Sequence, residues 1–162
     1  MLDPNLRQAN MDAMLDARAA VRWLRAHADE YRIDPMKIAI GGGSAGAFTS
    51  LMVAYGSGEG ESGHPGYSSS VSAVVDFWGG LLDVTVMQSG GPPLLVIHGT
   101  ADATVSFRFA ERLVQRAKEV GIICEFHPLE GRGHAAWQGL KDYIGWIAPL
   151  LFRHMIQAAE KG

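Results

Sequence analysis

The stretch Lys37-Ile38-Ala39-Ile40-Gly41-Gly42-Gly43-Ser44-Ala45-Gly46 constrains the fold of this chain more than any other. A short apolar run ends in three glycines, and a serine then opens a second apolar segment, Ala45 to Tyr55, stopped by Gly56. The first run is too short for a helix and reads as a buried strand. The second is apolar nearly all round, as a helix lying under a sheet is. Strand, sharp turn and helix in immediate succession are the first half of a βαβ unit, and a parallel neighbour must follow.

The rest of the chain repeats that alternation. A first helix over roughly 10–29 carries an apolar stripe at Met14, Ala17, Val21, Leu24 and Ala28. Strands are expected at about 37–41, 71–77, 93–98 and 122–128, with helices near 44–55, 106–120 and 135–157. Pro93 to His98 is a continuous apolar run, the mark of a strand buried on both faces. Ser106 is placed to cap the helix at 106–120, which Gly121 closes. Pro149 is expected to kink or split the last helix. Residues 56–70, rich in Gly and Ser, read as a mobile connection. The pattern predicts an α/β fold with a parallel sheet of about four strands and helices on both faces. Residues 1–162 are expected to form one domain.

The serine has a chemical reading. Gly42-Gly43-Ser44-Ala45-Gly46 matches G-x-S-x-G, in which a strained turn lifts a serine hydroxyl out at the carboxyl edge of a sheet. Gly42 and Gly46 are read as positions where a Cβ would crowd neighbouring backbone. The helix begins at this turn, so the N–H of Ala45 is the expected donor to a developing oxyanion. A serine hydroxyl needs a base, and a base needs an orienting group. Asp102 follows the strand at 93–98, and His134 sits in the glycine-flanked loop after the strand at 122–128. Each residue alone has a bland reading, Asp102 as a turn aspartate and His134 as a surface histidine. Together they give the order Ser, Asp, His, each beyond a strand.

On these residues the chain resembles the α/β-hydrolases of the esterase and lipase kind. The matching stretches are Asp16 to Arg25, Ile33 to Ala47, His98 to Phe107 and Gly133-His134. The resemblance implies Ser44 as nucleophile, His134 as general base and acid, and Asp102 as the group that orients His134. It implies a small-molecule ester as substrate, an acyl-serine intermediate, and no metal or organic cofactor. Members of that superfamily carry further N-terminal strands and a His-Gly-Gly-Gly-type loop that supplies a second oxyanion N–H. No such loop precedes Leu15. The fold expected is therefore a truncated version, with the strand at 37–41 bare along one edge. That edge suits a homodimer or a separate partner chain. Residues 79–92 are too short for the lid domain that some members insert, so an open site suited to short acyl esters is expected. Two other readings share these motifs. One is a catalytically weak or inactive fragment that acts through assembly with another chain. The other is a prolyl-oligopeptidase-like serine peptidase core, although that type carries a bulky aromatic where this chain has Ala45.

Other residues are weighed against plainer roles. Phe77, Trp78 and Trp137 are candidates to line a substrate pocket and are equally at home in a core. Asp76, Asp83 and Glu130 are alternative acids. His98 reads as a structural histidine within a strand, and His27, His64, His127 and His154 as surface residues. Cys124 is the only cysteine, which excludes an internal disulfide. The glycines at 41–43 lack the Lys-Ser/Thr that a phosphate loop needs. Net charge is -3 with no basic block, so nucleic-acid binding has no support. No stretch is apolar for long enough to span a bilayer, and no leader segment is visible; a complete chain of this kind would be cytoplasmic.

Overall fold

The computed structural model describes residues 4–156. Four strands form one parallel sheet in chain order: β1 (Ala39–Gly43), β2 (Ala73–Phe77), β3 (Leu94–Gly99) and β4 (Cys124–Leu129). The helices are α1 (Pro4–Ala26), the single turn α2 (Ala28–Tyr31), α3 (Ala45–Tyr55), α4 (Arg108–Val120) and α5 (Leu140–Leu151). The expected α/β class and strand number hold.

Alternation along the two central strands divides the core. Val74, Leu94 and Val96 face Leu51 and Tyr55 of α3 and Ala110, Leu113 and Ala117 of α4. Ala73, Val75, Leu95 and Ile97 face the other way, against Trp78, Ala136, and Tyr143 and Leu150 of α5. Each β3 residue is buried, as expected for a strand covered on both faces. All four strands run the same way, so the turns after them gather at one edge of the sheet. That edge receives Ser44 after β1, Trp78 after β2, Asp102 after β3 and His134 after β4.

Several local expectations need correction. The first helix begins earlier and stops at Ala26, before a separate turn at Ala28–Tyr31. Its buried face includes Arg18 and Arg22 beside Met14 and Val21. These arginines tether the segment 56–70 through its carbonyls, although most of its side chains are exposed. Arg18 donates to the carbonyls of Gly58, Val53 and Gly56, and Arg22 to those of Glu59 and Ser62 at 2.5 and 2.6 Å. Arg25 donates to the carbonyls of Ser68, Ser70 and Pro35. Ser106 gives no side-chain cap; its carbonyl accepts from the N–H of Phe109, and Phe107 occupies the N-cap.

The last helix starts at Leu140 rather than 135, because Ala135 adopts a left-handed conformation (φ 55°) and a short 3₁₀ turn at Trp137–Gly139 intervenes. Pro149 lies inside α5 without splitting it; the helix widens to a π turn at Phe152–Ile156. The carbonyl that Pro149 leaves without a donor belongs to exposed Gly145, where water can serve it. The expected helix end at 157 lies outside the described residues. Residues 79–92 form no lid: Leu81 and Met87 pack into the core around a 3₁₀ turn at Val84–Val86.

Candidate active site

The turn after β1 is strained in the way its sequence requires. Ser44 has φ 54° and ψ −120°, a conformation costly for a residue with a side chain. It is held from both sides: its N–H donates to Phe77 O at 2.9 Å, and its carbonyl accepts from the N–H of Ala47 and Phe48. A Cβ on Gly42 would run into the backbone of Gly46, so glycine is required at 42. Gly46 itself has nothing within 4 Å of where its Cβ would stand. The expectation that both glycines relieve crowding is therefore corrected: Gly46 contributes the backbone that crowds Gly42. Ala45 is the first residue of α3, so its N–H has no acceptor within the helix. Gly79 makes room beneath this turn, since a Cβ there would meet Ala47 and approach Ser44 O to 3.2 Å.

Asp102 and His134 come from loops that are tied together. Thr100 and Arg132 both donate their N–H to Leu129 O, and Ala101 donates to Arg132 O at 3.0 Å. The Gly131 N–H donates to Thr100 Oγ1 at 2.8 Å. Gly99 permits this approach, because a Cβ there would collide with the carbonyls of Arg132 and Gly133. The result is one continuous hydrogen-bonded line. Ser44 Oγ lies 2.9 Å from His134 Nε2, and His134 Nδ1 lies 2.7 Å from Asp102 Oδ2. The carboxylate can only accept, so His134 donates from Nδ1 and its Nε2 is left to accept the Ser44 proton.

Asp102 Oδ1 accepts from the N–H groups of Thr104 and Val105 at 2.8 and 2.9 Å. Burial works against the charge on Asp102, but the bonds from His134, Val105 and Thr104 outweigh it and hold the pKa below the usual carboxylate value.

The alternative acids lie elsewhere. Asp76 is fully buried at the end of β2, where its Oδ1 accepts from Gly79 N–H at 2.9 Å and its Oδ2 has no partner. Burial pushes its pKa up to about 7, against the Gly79 bond. Asp83 caps the 3₁₀ turn through Thr85, and Glu130 is exposed. The Cys124 thiol is pushed up to about 12, chiefly by burial, which leaves it inert as a nucleophile. His127 is no free surface residue: its ring stacks flat on Trp146 at 4.0 Å.

The three aromatic candidates form one cluster. Trp78 and Trp137 meet edge to face at 4.7 Å, and Phe77 lies 5.8 Å from Trp137. Trp78 is core, whereas Trp137 is half exposed. Both reach to about 3.1 Å from where a Gly43 Cβ would be, next to Ser44. Sequence reasoning did not single out Gly99, Gly79, or the buried arginines. The one usable signal was Gly99 at the end of an otherwise apolar strand. Among the described residues, no group of three or more His, Cys, Asp or Glu could hold a metal ion, and no helix is long and apolar enough to cross a membrane.

Residues 6–91 match the family model BD-FAE, which takes in β1, the Ser44 turn, α3 and β2. The chain belongs to the BD-FAE family. Asp102 and His134 lie beyond the part that matches. The probable carboxylic ester hydrolase LipM of Mycobacterium tuberculosis (strain ATCC 25618 / H37Rv) is 35% identical over 88 residues, 52% of this chain and 20% of that protein. Esterase 2 of Thermogutta terrifontis phosphorylated by paraoxon superposes with a TM-score of 0.78 at 27% identity, over 86% of this chain and 62% of that one. The propionate-bound form of this thermophilic Planctomycetes esterase gives 0.72 at 27%, over 83% and 64%. This BD-FAE chain thus has the fold of solved esterases of the α/β-hydrolase type. It spans about a fifth of the curated relative and less than two thirds of those esterases.

Proposed function

We propose that this chain is the single-domain catalytic core of a serine carboxylesterase acting on short-chain acyl esters. The observation that carries the proposal is the unbroken line Ser44 Oγ, His134, Asp102, at 2.9 and 2.7 Å. Ser44 Oγ attacks the ester carbonyl carbon while its proton passes to His134 Nε2. The N–H of Ala45, at the positive end of α3, stabilises the oxyanion. Collapse of the tetrahedral intermediate breaks the bond to the alkoxy oxygen, which takes the proton from His134 and leaves as the alcohol. Water then gives a proton to His134 and attacks the acyl-serine, and the acid departs as Ser44 regains its proton. Asp102 keeps His134 in one tautomer and stabilises its cation. Phe77 and Trp137 form the wall against which the acyl or alcohol group packs, with buried Trp78 supporting Trp137 from behind. The relatives' esterase activity supports the reaction class, and the propionate complex of one of them supports a short acyl group.

The outer edge of β1, beside which no strand lies among the described residues, favours a second reading, in which another copy or a separate chain adds to the site and supplies a further oxyanion donor. Loss of one such donor costs about 10²–10³ in rate.

The test is titration with a fluorophosphonate probe read by intact mass, followed by hydrolysis of p-nitrophenyl acetate, butyrate and decanoate. One adduct per chain is expected, none on Ser44→Ala, with the shorter esters turned over faster. Unchanged hydrolysis by Ser44→Ala would sink the proposal. Stoichiometric labelling without turnover would favour the second reading.

A further inference from the structure

The buried ring of His98 is unused by the mechanism above, yet it touches the same carboxylate oxygen as His134. His98 lies on β3 with its side chain fully buried. Its Nε2 stands 2.9 Å from Val105 O and 3.3 Å from Asp102 Oδ2. A carbonyl only accepts, so Nε2 carries the ring proton and donates it to Val105 O, with Asp102 Oδ2 close beside that N–H. Its Nδ1 is buried with no hydrogen-bond partner. A proton placed there would have nothing to donate to, which fixes the ring as the Nε2–H tautomer. Phe107 packs edge-on against the ring at 5.8 Å.

The surroundings of Asp102 show what this ring does. Oδ1 takes the N–H groups of Thr104 and Val105, Oδ2 takes His134, and His98 Nε2 stands 3.3 Å from Oδ2. Val105 is held at both ends, its N–H by Asp102 and its carbonyl by His98. The loop from Asp102 to Val105 is thereby closed on itself from beneath. We propose that His98 is a positioning residue for catalysis, clamping the Asp102 loop through Val105 and setting its Nε2–H close to the Asp102 oxygen that holds His134. The proposal rests on the serine esterase reading.

The titratable groups that act on His98 are Asp102, which favours its cation, and His134, which opposes it; burial dominates and lowers its pKa. Removing the His98 N–H takes a positive dipole end from beside Oδ2 and makes the carboxylate more basic. The His134 cation is then favoured, so the acid limb of kcat/KM moves to higher pH.

The experiment compares wild type, His98→Phe and His98→Gln, each normalised to the active fraction counted by phosphonate titration. In Gln, the side-chain N–H can reach the oxygens that Nε2–H serves. His98→Phe is expected to lower kcat by about tenfold or more with KM little changed, and to shift the acid limb upward. His98→Gln is expected to restore much of both. Nitrogen-15 spectra of the wild-type imidazoles are expected to show His98 as the neutral Nε2–H tautomer across the pH range of the activity profile. A His98→Phe enzyme with wild-type kcat and pH limb per active site would overturn the proposal. So would an Nδ1–H or doubly protonated His98 in the spectra, a result that needs no variant to fold. Failure of wild type to take the probe at Ser44 would strike the esterase reading instead, and the spectra would still test the clamp.

Discussion

Two residues at the carboxyl edge of the sheet show how single atoms set the site. Gly99 ends β3 directly beneath the carbonyls of Arg132 and Gly133. Gly99→Ala must push the loop that carries His134 away from Asp102 and Ser44. A displacement of about 1 Å at reacting groups costs on the order of 10² in rate. The variant is expected to lose about that much kcat while its unfolding midpoint moves little, checked by ester turnover beside thermal unfolding. Turnover equal to wild type would mean that the loop tolerates the shift. Asp76 is the second case. Its pKa rises from an ordinary carboxylate value near 3.9 in the unfolded chain to about 7, because burial disfavours its charge. Between those values the folded state keeps a proton that the unfolded state has released. The contribution of Asp76 to stability is therefore full below about pH 4, falls as pH rises to 7 by on the order of 4 kcal/mol, and is level above that. Asp76→Asn keeps an acceptor for Gly79 N–H and removes the titration. Urea unfolding at several pH values should show the variant gaining on wild type from pH 4 to 8; parallel curves would count against the assignment. Neither residue was legible in the sequence. Asp76 reads there as one of several acids near strand ends, and its full burial without a partner for Oδ2 emerges only in the fold.

At the scale of elements, the strands and the helices α3 and α4 were legible because each carries its own period and its own stop. β3 is apolar from Leu94 to Ile97, and α4 ends at a left-handed Gly121 as its sequence implies. The segment 56–70 was not legible, because its order comes from another element. Gly and Ser forecast freedom, whereas three arginines one helical turn apart on α1 reach its carbonyls from across the fold. Arg18 and Arg22 sit on the face that the apolar stripe reserves for the core, and a stripe count passes over them. These contacts make a prediction. Arg22→Met keeps the aliphatic stem but removes the donors to Glu59 O and Ser62 O and the ion pair to Glu59. Charge-assisted bonds of this kind contribute roughly 1.5–3 kcal/mol each, less where water can replace them. A loss of about 2–3 kcal/mol is expected, with faster amide exchange confined to 56–70. Exchange that quickened instead across the whole sheet would place the arginine in the global core.

At the scale of the whole molecule, a four-stranded parallel sheet has two outer edges, and this chain treats them differently. β4 carries Pro128, an ion pair between Glu125 and Arg153, and the stack of His127 on Trp146, all of which blunt an edge. β1 is Ala-Ile-Gly-Gly-Gly, with no charge, no proline and no strand beside its outer row among the described residues. Its flat, small-residue edge runs straight into the Ser44 turn, so whatever pairs with it ends next to the site. Under the second reading proposed above, the added chain supplies its oxyanion donor at that position, which ties association to activity. Light scattering across micromolar concentrations is expected to show a species heavier than one chain, and β1 amides should lose exchange protection on dilution. Specific activity should fall over the same range of dilution. A monomer at every concentration, with constant specific activity, would mean that the site works with the donors of one chain and that the β1 edge is simply solvated.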